Sequence, residues 1–181
     1  MASLNCKGKL IDLSNPIIMG ILNDAWSDNW GFVPFSDIQI KHMAGELKPV
    51  IIPDFFWVCE YKGEPAAFIL MIPNVNEAIA GLDGKLLPFG WAKLLYRLKI
   101  KGLKTARIPL MGVKREFQRK RAGLAMAAFL SEKVFEKGRE RGFTHVEMGW
   151  ILENNKSMIR IIEQAKGVPY KTYRMYEKAI S

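Results

Sequence analysis

Cysteine is scarce: the 181 residues hold only two, Cys6 and Cys59. Neither sits at a metal-ligand spacing, no disulfide framework is visible, and no metal site is expected. Cys59 follows the apolar run Phe55-Phe56-Trp57-Val58 and reads as a small buried hydrophobe. Such usage fits a reducing cytoplasm. Long apolar runs are missing too. None approaches the roughly 20 residues of a membrane-crossing helix, so stable membrane insertion is not expected. Met1 to Lys9 lacks the apolar segment of a secretory signal, which again points to the cytoplasm. There is no internal repeat and no low-complexity tract. Of the two histidines, His42 falls on a helix surface and His145 inside a strand, and neither is assigned chemistry.

Acids are also few. Lys and Arg total 27 against 18 Asp and Glu, a net charge of +9. Such an excess suits an anionic partner: nucleic acid, an acidic membrane face or a polyphosphate ligand. It also suits a merely solvated basic surface. No recognition helix or stacking platform is evident, so nucleic acid is not expected.

What is present is ordinary globular composition, 49% hydrophobic and 25% charged. The length suits a single domain, 1–181, with residues 1–10 irregular. Ser14-Asn15-Pro16 starts a helix over 16–26. An aromatic loop, 27–35, precedes a helix capped by Ser36 and running to about Leu47. Residues 55–61 and 65–72 form strands joined by Lys62-Gly63, where glycine supplies a positive φ. Residues 74–82 and 88–100 read as helices, the second with Trp91, Leu94, Leu95 and Leu98 on one face and basic flanks. That face packs on the domain, forms a lid or meets a membrane surface. A strand over 105–113, a basic loop over 114–120, a helix from about Gly123 to Arg141 and a strand over 145–152 form a crossover with parallel strands. Gly142 ends the long helix. A helix over 155–165, stopped by Gly167, and a closing strand over 170–178 complete a mixed α/β domain.

The informative stretch runs from Ile108 to Ala127, where a strand leads through a basic turn into an Ala-rich helix. A helix N-terminus presents unpaired N–H groups and a partial positive charge. Small residues at Ala122, Gly123 and Ala125 allow close approach, so the turn reads as a phosphate cradle. Arg115, Arg119, Lys120 and Arg121 crowd cations where acids are normally preferred, an arrangement that an anion would relieve. A basic loop capping an amphipathic helix is the plainer alternative.

The run Gln118-Arg119-Lys120-Arg121-Ala122-Gly123 resembles the acyl-CoA motif of the GNAT acyltransferases, Gln/Arg-x-x-Gly-x-Gly/Ala, with Arg121 at the first glycine. Residues 28–34 and 150–155 resemble a bacterial GNAT-like subgroup of unassigned activity. Some of its members are longer, and this chain is similar to their C-terminal portion. The resemblance covers about 14–178. It implies a layered αβα fold around a mixed, twisted sheet, with a helical insert at about 74–103. It also implies an acetyl-CoA or other acyl-CoA site. The backbone of Arg119, Lys120, Arg121, Ala122, Gly123, Leu124 and Ala125, with Gln118, would hold the pyrophosphate. The edge of strand 108–113, at Met111, Gly112 and Val113, would pair with the pantetheine arm, and strand N–H groups near Gly112 would stabilise an oxyanion. Asn155 would support the cofactor, or act as a plain helix cap.

The implied reaction is acyl transfer to an amine, of a small molecule or a peptide. Glu153 is the first candidate base and Glu116 the second; either also reads as an exposed or capping carboxylate. The tyrosine expected on the last helix falls near Ile162, leaving Tyr170, Tyr173 and Tyr176 as unselected substitutes. Asp28, Asn29, Trp30 and Phe32 would line the acceptor pocket, with Asp28 drawing an ammonium group; the loop aromatics, Phe35 among them, otherwise cover the core. A catalytically inactive acyl-CoA-binding module is the alternative function, and a homodimer is an open arrangement.

Overall fold

Local chemistry sets the first elements where expected. In the computed structural model, residues 4–8 and 15–179 are described, the first group by backbone alone. Asn15 caps α1 (Pro16–Trp26) by accepting from the N–H of Ile17 at 2.9 Å. Ser36 and Gln39 cap α2 (Asp37–Leu47) reciprocally, a full capping box. Strands β2 (Phe56–Tyr61) and β3 (Glu64–Pro73) meet at Lys62-Gly63, both at positive φ. That geometry matches the twist of the flanking strands.

Residues 1–150 form one unit and 151–181 a second. The first holds a five-stranded sheet in the order β1-β2-β3-β4-β5. Strand β1 (Leu4–Gly8) pairs antiparallel with β2, so that part of the segment expected to be irregular is sheet. Its register sets Cys6 opposite Cys59. Cys59 is buried as expected but is disulfide-bonded, which corrects the reading that found no disulfide framework. Strand β4 (Thr105–Val113) pairs antiparallel with β3 and parallel with β5 (His145–Met148), making the sheet mixed.

The core lies on both faces of the sheet, and β3 shows why. Residues 66–71 of that strand are all buried, as in a strand covered on two sides. Phe68 and Leu70 pack with Ile18, Ile21 and Leu22 of α1 and Ile40 of α2. The opposite face meets α6 (Arg121–Glu140), where Gly138 lies against Met71. Helix α6 ends as expected: Gly142 has φ +81°, its N–H bonds the Arg139 carbonyl, and the Phe143 N–H bonds that of Gly138.

Several boundaries differ from the sequence pattern. The helix expected over 74–82 is one turn, α3 (Val75–Ile79). The next is α4 (Gly90–Tyr96) followed by a π-helical turn, Arg97–Lys101. The basic loop contains a short helix, α5 (Arg115–Gln118), and α6 starts at Arg121, not Gly123. Strand β5 stops at Met148, four residues early. In the second unit, α7 (Lys156–Gln164) carries an apolar stripe of Met158, Ile159 and Ile162. The strand expected over 170–178 is absent, and that segment has no regular structure. Alternating apolar residues mark a strand only when a neighbouring edge accepts their backbone groups, and no described strand pairs there. After α7 the residue at positive φ is Lys166 rather than Gly167. Gly167 is needed for space: a Cβ there would lie 2.3 Å from Ile162.

The helical insert between β3 and β4 is tied down by two side chains. Arg97 donates to the carbonyls of Ala78 (2.8 Å) and Ala80 (2.6 Å). Glu77 accepts from the N–H groups of Lys104 and Thr105 and from the Thr105 hydroxyl at 2.6 Å. Burial opposes the charge of Glu77, but the Thr105 hydroxyl, these two N–H groups and nearby Lys101 outweigh it and hold its carboxyl below the ordinary 4.5. The folded carboxyl therefore binds its proton less tightly than the unfolded one. Its stabilisation is complete above the unfolded value and is lost as pH falls through the lower folded value. Glu77→Gln should cost roughly 1–2 kcal/mol at neutral pH, read from urea midpoints. The gap from the parent should narrow below about pH 4; a gap independent of pH would contradict the charged staple.

Candidate functional site

The site is built on an irregularity in β4. Between the pairs Ile72↔Arg107 and Leu70↔Leu110, β3 contributes Met71 alone while β4 contributes Ile108 and Pro109. This is a β-bulge, and Pro109, which has no N–H, is suited to it. An extra residue reverses which backbone groups face each neighbour. Before the bulge, Lys104 and Ile108 turn their carbonyls to the β5 side, accepting from His145 and Gly149. After it, the Lys114 N–H bonds the Ala66 carbonyl on the β3 side. Met111 and Val113 turn away from β3: the Met111 carbonyl accepts from the Trp26 indole N–H at 3.0 Å and the Val113 carbonyl from Gln118 at 2.9 Å. Alternation places the N–H groups of Met111 and Val113 on that same side.

Strand β5 does not follow β4 that far. Their pairing runs only from Thr105↔His145 to Ile108↔Met148. It is pinned by Arg107, which grips Glu147 with two bonds of 3.0 and 3.1 Å. Beyond Ile108 no described strand pairs with the outer edge of β4. Of the strand N–H groups expected near Gly112, that of Gly112 itself lies on the β3 side, where Gly112 pairs opposite Phe68. Its lack of a side chain serves packing: a Cβ would meet the Phe68 ring at 2.9 Å and Ala25 at 3.4 Å.

The turn from β4 into α6 is folded by its own side chains. Asp24 of α1 accepts from the Arg115 N–H at 2.8 Å and so caps α5. Gln118 bridges the carbonyls of Ala25 and Val113, each at 2.9 Å. Phe117 is buried against Tyr61, ring centroids 4.9 Å apart. Gly123 is where α6 crosses α5: a Cβ would fall 2.1 Å from the Phe117 carbonyl oxygen. These contacts leave Arg119, Lys120 and Arg121 exposed at the start of α6. No side chain caps that helix and its first turn holds no acid, so its positive end is uncompensated. Ala122 is half-buried, while Leu124 and Ala125 are exposed on the first turns.

The aromatic loop divides into two parts. Asn23 clamps its far end, donating to the Phe35 carbonyl at 3.2 Å and accepting from the Phe35 N–H at 3.0 Å. Phe32 packs edge-on between Trp26 and Phe35, 5.9 Å from each. Trp30 is 67% exposed. Asn29 is half-buried, bonding the Trp26 carbonyl through its N–H at 2.8 Å. Asp28 pairs with the Arg115 guanidinium at 2.8 Å, tying the loop to the start of α5. Sequence reasoning missed Asp24, Asn23 and Trp26, which position this region. An Asn or Asp one helical turn from a loop was the available signal.

In the second unit Asn155 caps α7, its side chain accepting from the Met158 N–H at 3.1 Å. Glu153 is exposed and lies 3.7 Å from Arg174. Glu116 is exposed on α5. No helix among the described residues is long and apolar enough to cross a membrane.

No profile of a known protein family matches the chain. It is 51% identical over 160 residues to a protein of Caulobacter vibrioides (strain NA1000 / CB15N) named bacterial ceramide synthase, a match covering 88% of this chain and 42% of that protein. It is 46% identical over 164 residues to protein YghO of Escherichia coli (strain K12), covering 91% of this chain and again 42% of the other. The chain thus spans 42% of the length of these curated relatives. Among solved structures it is similar to an aminoglycoside N-acetyltransferase, AAC(6')-Iy, in complex with CoA, at a TM-score of 0.56 and 10% identity over 99% of this chain and 97% of that one. An N-acetyltransferase from Staphylococcus aureus Mu50 gives 0.54 and 17% over 92% and 82%. An agmatine N-acetyltransferase gives 0.56 and 13% over 90% and 81%. The chain thus has the fold of the GNAT acetyltransferases.

Proposed function

We propose that the chain binds an acyl-CoA and transfers its acyl group to an amine. The observation that carries this reading is the edge of β4 at Met111 and Val113, which no described strand pairs, leading into the uncapped N-terminus of α6. An extended amide-bearing arm suits the strand edge, and a diphosphate suits the helix end with its exposed Arg119, Lys120 and Arg121. The thioester supplies an activated carbonyl. The outward N–H groups of Met111 and Val113 are the donors available to its oxygen. In the transfer a C–N bond forms, the C–S bond breaks, the amine loses a proton and the thiolate gains one. Glu153, with Glu116 second, is the proposed acceptor of the amine proton, directly or through water.

For the acceptor we propose a long-chain amine. Ceramide is the amide of a long-chain amino alcohol, so the activity named for the Caulobacter relative is itself an amine acylation. Asp28, Asn29, Trp30 and Phe32 are the proposed acceptor side. A second reading follows from the 42% coverage of the longer relatives: the chain holds the donor and other residues complete the reaction. CoA binding by the chain without amide formation, from acetyl-CoA or a long-chain acyl-CoA with a sphingoid amine, would favour that division.

Calorimetric titration with CoA should show saturable binding, and Lys120→Glu/Arg121→Glu should weaken it at least about tenfold, ~1.4 kcal/mol. Absence of binding at millimolar CoA removes the basis for the whole reading. Gly123→Ala forces a side chain onto the Phe117 carbonyl. It should cost about 1–3 kcal/mol of stability and lower CoA affinity with it. Ala125→Ser, on an exposed position of the same helix, should leave stability within about 0.5 kcal/mol. Equal thermal midpoints for the parent and Gly123→Ala would contradict the close crossing of α5 and α6.

A further inference from the structure

The insert between β3 and β4 carries a surface that acyl transfer does not account for. Leu86, Leu87, Phe89, Trp91, Leu95 and Ile100 are all exposed, Leu87 at 81%, Phe89 at 76% and Ile100 at 75%, and Tyr96 joins them. No residue of α4 is fully buried. The apolar face expected to pack on the domain therefore does so only in part: Leu94 and Leu98 are half-buried, while Trp91 and Leu95 face solvent. Scattered exposed hydrophobics need no explanation, but a contiguous set does.

These side chains are held outward. The Lys85 N–H bonds the Leu82 carbonyl, the Trp91 N–H that of Leu86 and the Lys93 N–H that of Phe89. The Trp91 indole N–H bonds the Pro88 carbonyl at 2.9 Å. Gly90 fits so closely that a Cβ would lie 2.2 Å from the Lys85 carbonyl oxygen. The tip 86–89 is thus braced by its own backbone, and Arg97 and Glu77 fasten the insert's base.

Along the chain the charge of this segment has one sign, the exposed Asp83 lying just before it. From Gly84 to Arg115 the sequence contains no acid. Lys85, Lys93 and Lys101 are exposed in it, and among the described residues Lys85 and Lys93 make no ion pair. A second copy docking on the same face by two-fold symmetry would set these lysines against themselves. An anionic bilayer meets both features: apolar tips enter the headgroup boundary, Trp and Tyr sit at that level, and lysines face lipid phosphates.

We propose that residues 85–101 dock the protein reversibly on an anionic membrane surface, with Leu87 and Phe89 at the leading tip. The inference stands on this face alone, whatever the acceptor amine, and goes beyond the acyl-transfer reading.

Co-sedimentation of the 181-residue chain with vesicles of phosphatidylcholine, with and without phosphatidylglycerol, tests it. The parent should bind the mixed vesicles and not the neutral ones, and added salt should weaken binding. Leu87→Ser/Phe89→Ser and Lys85→Glu/Lys93→Glu should each lose at least about tenfold in affinity with unchanged melting. Val33→Ser/Ile38→Ser, altering exposed apolar residues elsewhere, should bind as the parent does. Tryptophan quenching by brominated phosphatidylglycerol should largely vanish in Trp91→Phe, a readout independent of the tip variants' folding. Equal binding by parent and tip variants, no binding at all, or a dimer that the tip variants dissociate without any vesicle binding would each overturn the assignment.

Discussion

One extra residue in β4 sets the geometry of everything around the proposed donor site. Because Ile108 and Pro109 together face Met71, the strand exchanges the edges to which its amides point. Below the bulge the outward groups are consumed by β5; above it they belong to Met111 and Val113, where β5 has ended. The Arg107–Glu147 pair is set just before the bulge. It is half-buried and doubly bonded, which gives it better geometry than an ordinary surface pair. The two strands are therefore joined firmly over four residues and then separate.

The turn that follows shows how a ligand-like motif can be largely structural. Gln118 closes the turn through two carbonyls, Gly123 makes room for the Phe117 carbonyl, and Arg115 is held by Asp24 and Asp28. Each is explained without a ligand. What packing does not explain is the remainder: three exposed cations at a helix start with no cap and no acid. That charge arrangement is unfavourable by itself. The structural residues fix the turn, and the electrostatic surplus invites the anion.

The insert repeats this division. Arg97 and Glu77 direct their charges to backbone groups at its base, while Lys85, Lys93 and Lys101 and the side chains of Leu87, Phe89 and Ile100 stay at the surface. The basic excess is thus not spread as a uniform solvated coat. Part lies at the head of α6 and part on the insert, and the two parts suit different anions.

The sequence alone determined what depends on neighbours within a few residues. Asn15, Ser36 with Gln39, Lys62-Gly63 and Gly142 set caps and turns whose hydrogen bonds close locally. The layered α/β class and the long helix after β4 were legible for the same reason, in apolar periodicity. The candidate cofactor stretch 111–125 was legible as a motif, but not the division of labour within it. Tertiary structure alone decided the bulge, since Pro109 marks it only once β3 lies opposite. It also decided that residues 4–8 find an edge to pair with while 170–178 find none. The clamps by Asn23, Asp24 and Glu77 span 12, 91 and 28 residues. A strand, a cap or a buried glycine of this kind is specified by a partner far along the chain, and that partner is defined only when the sheet has formed.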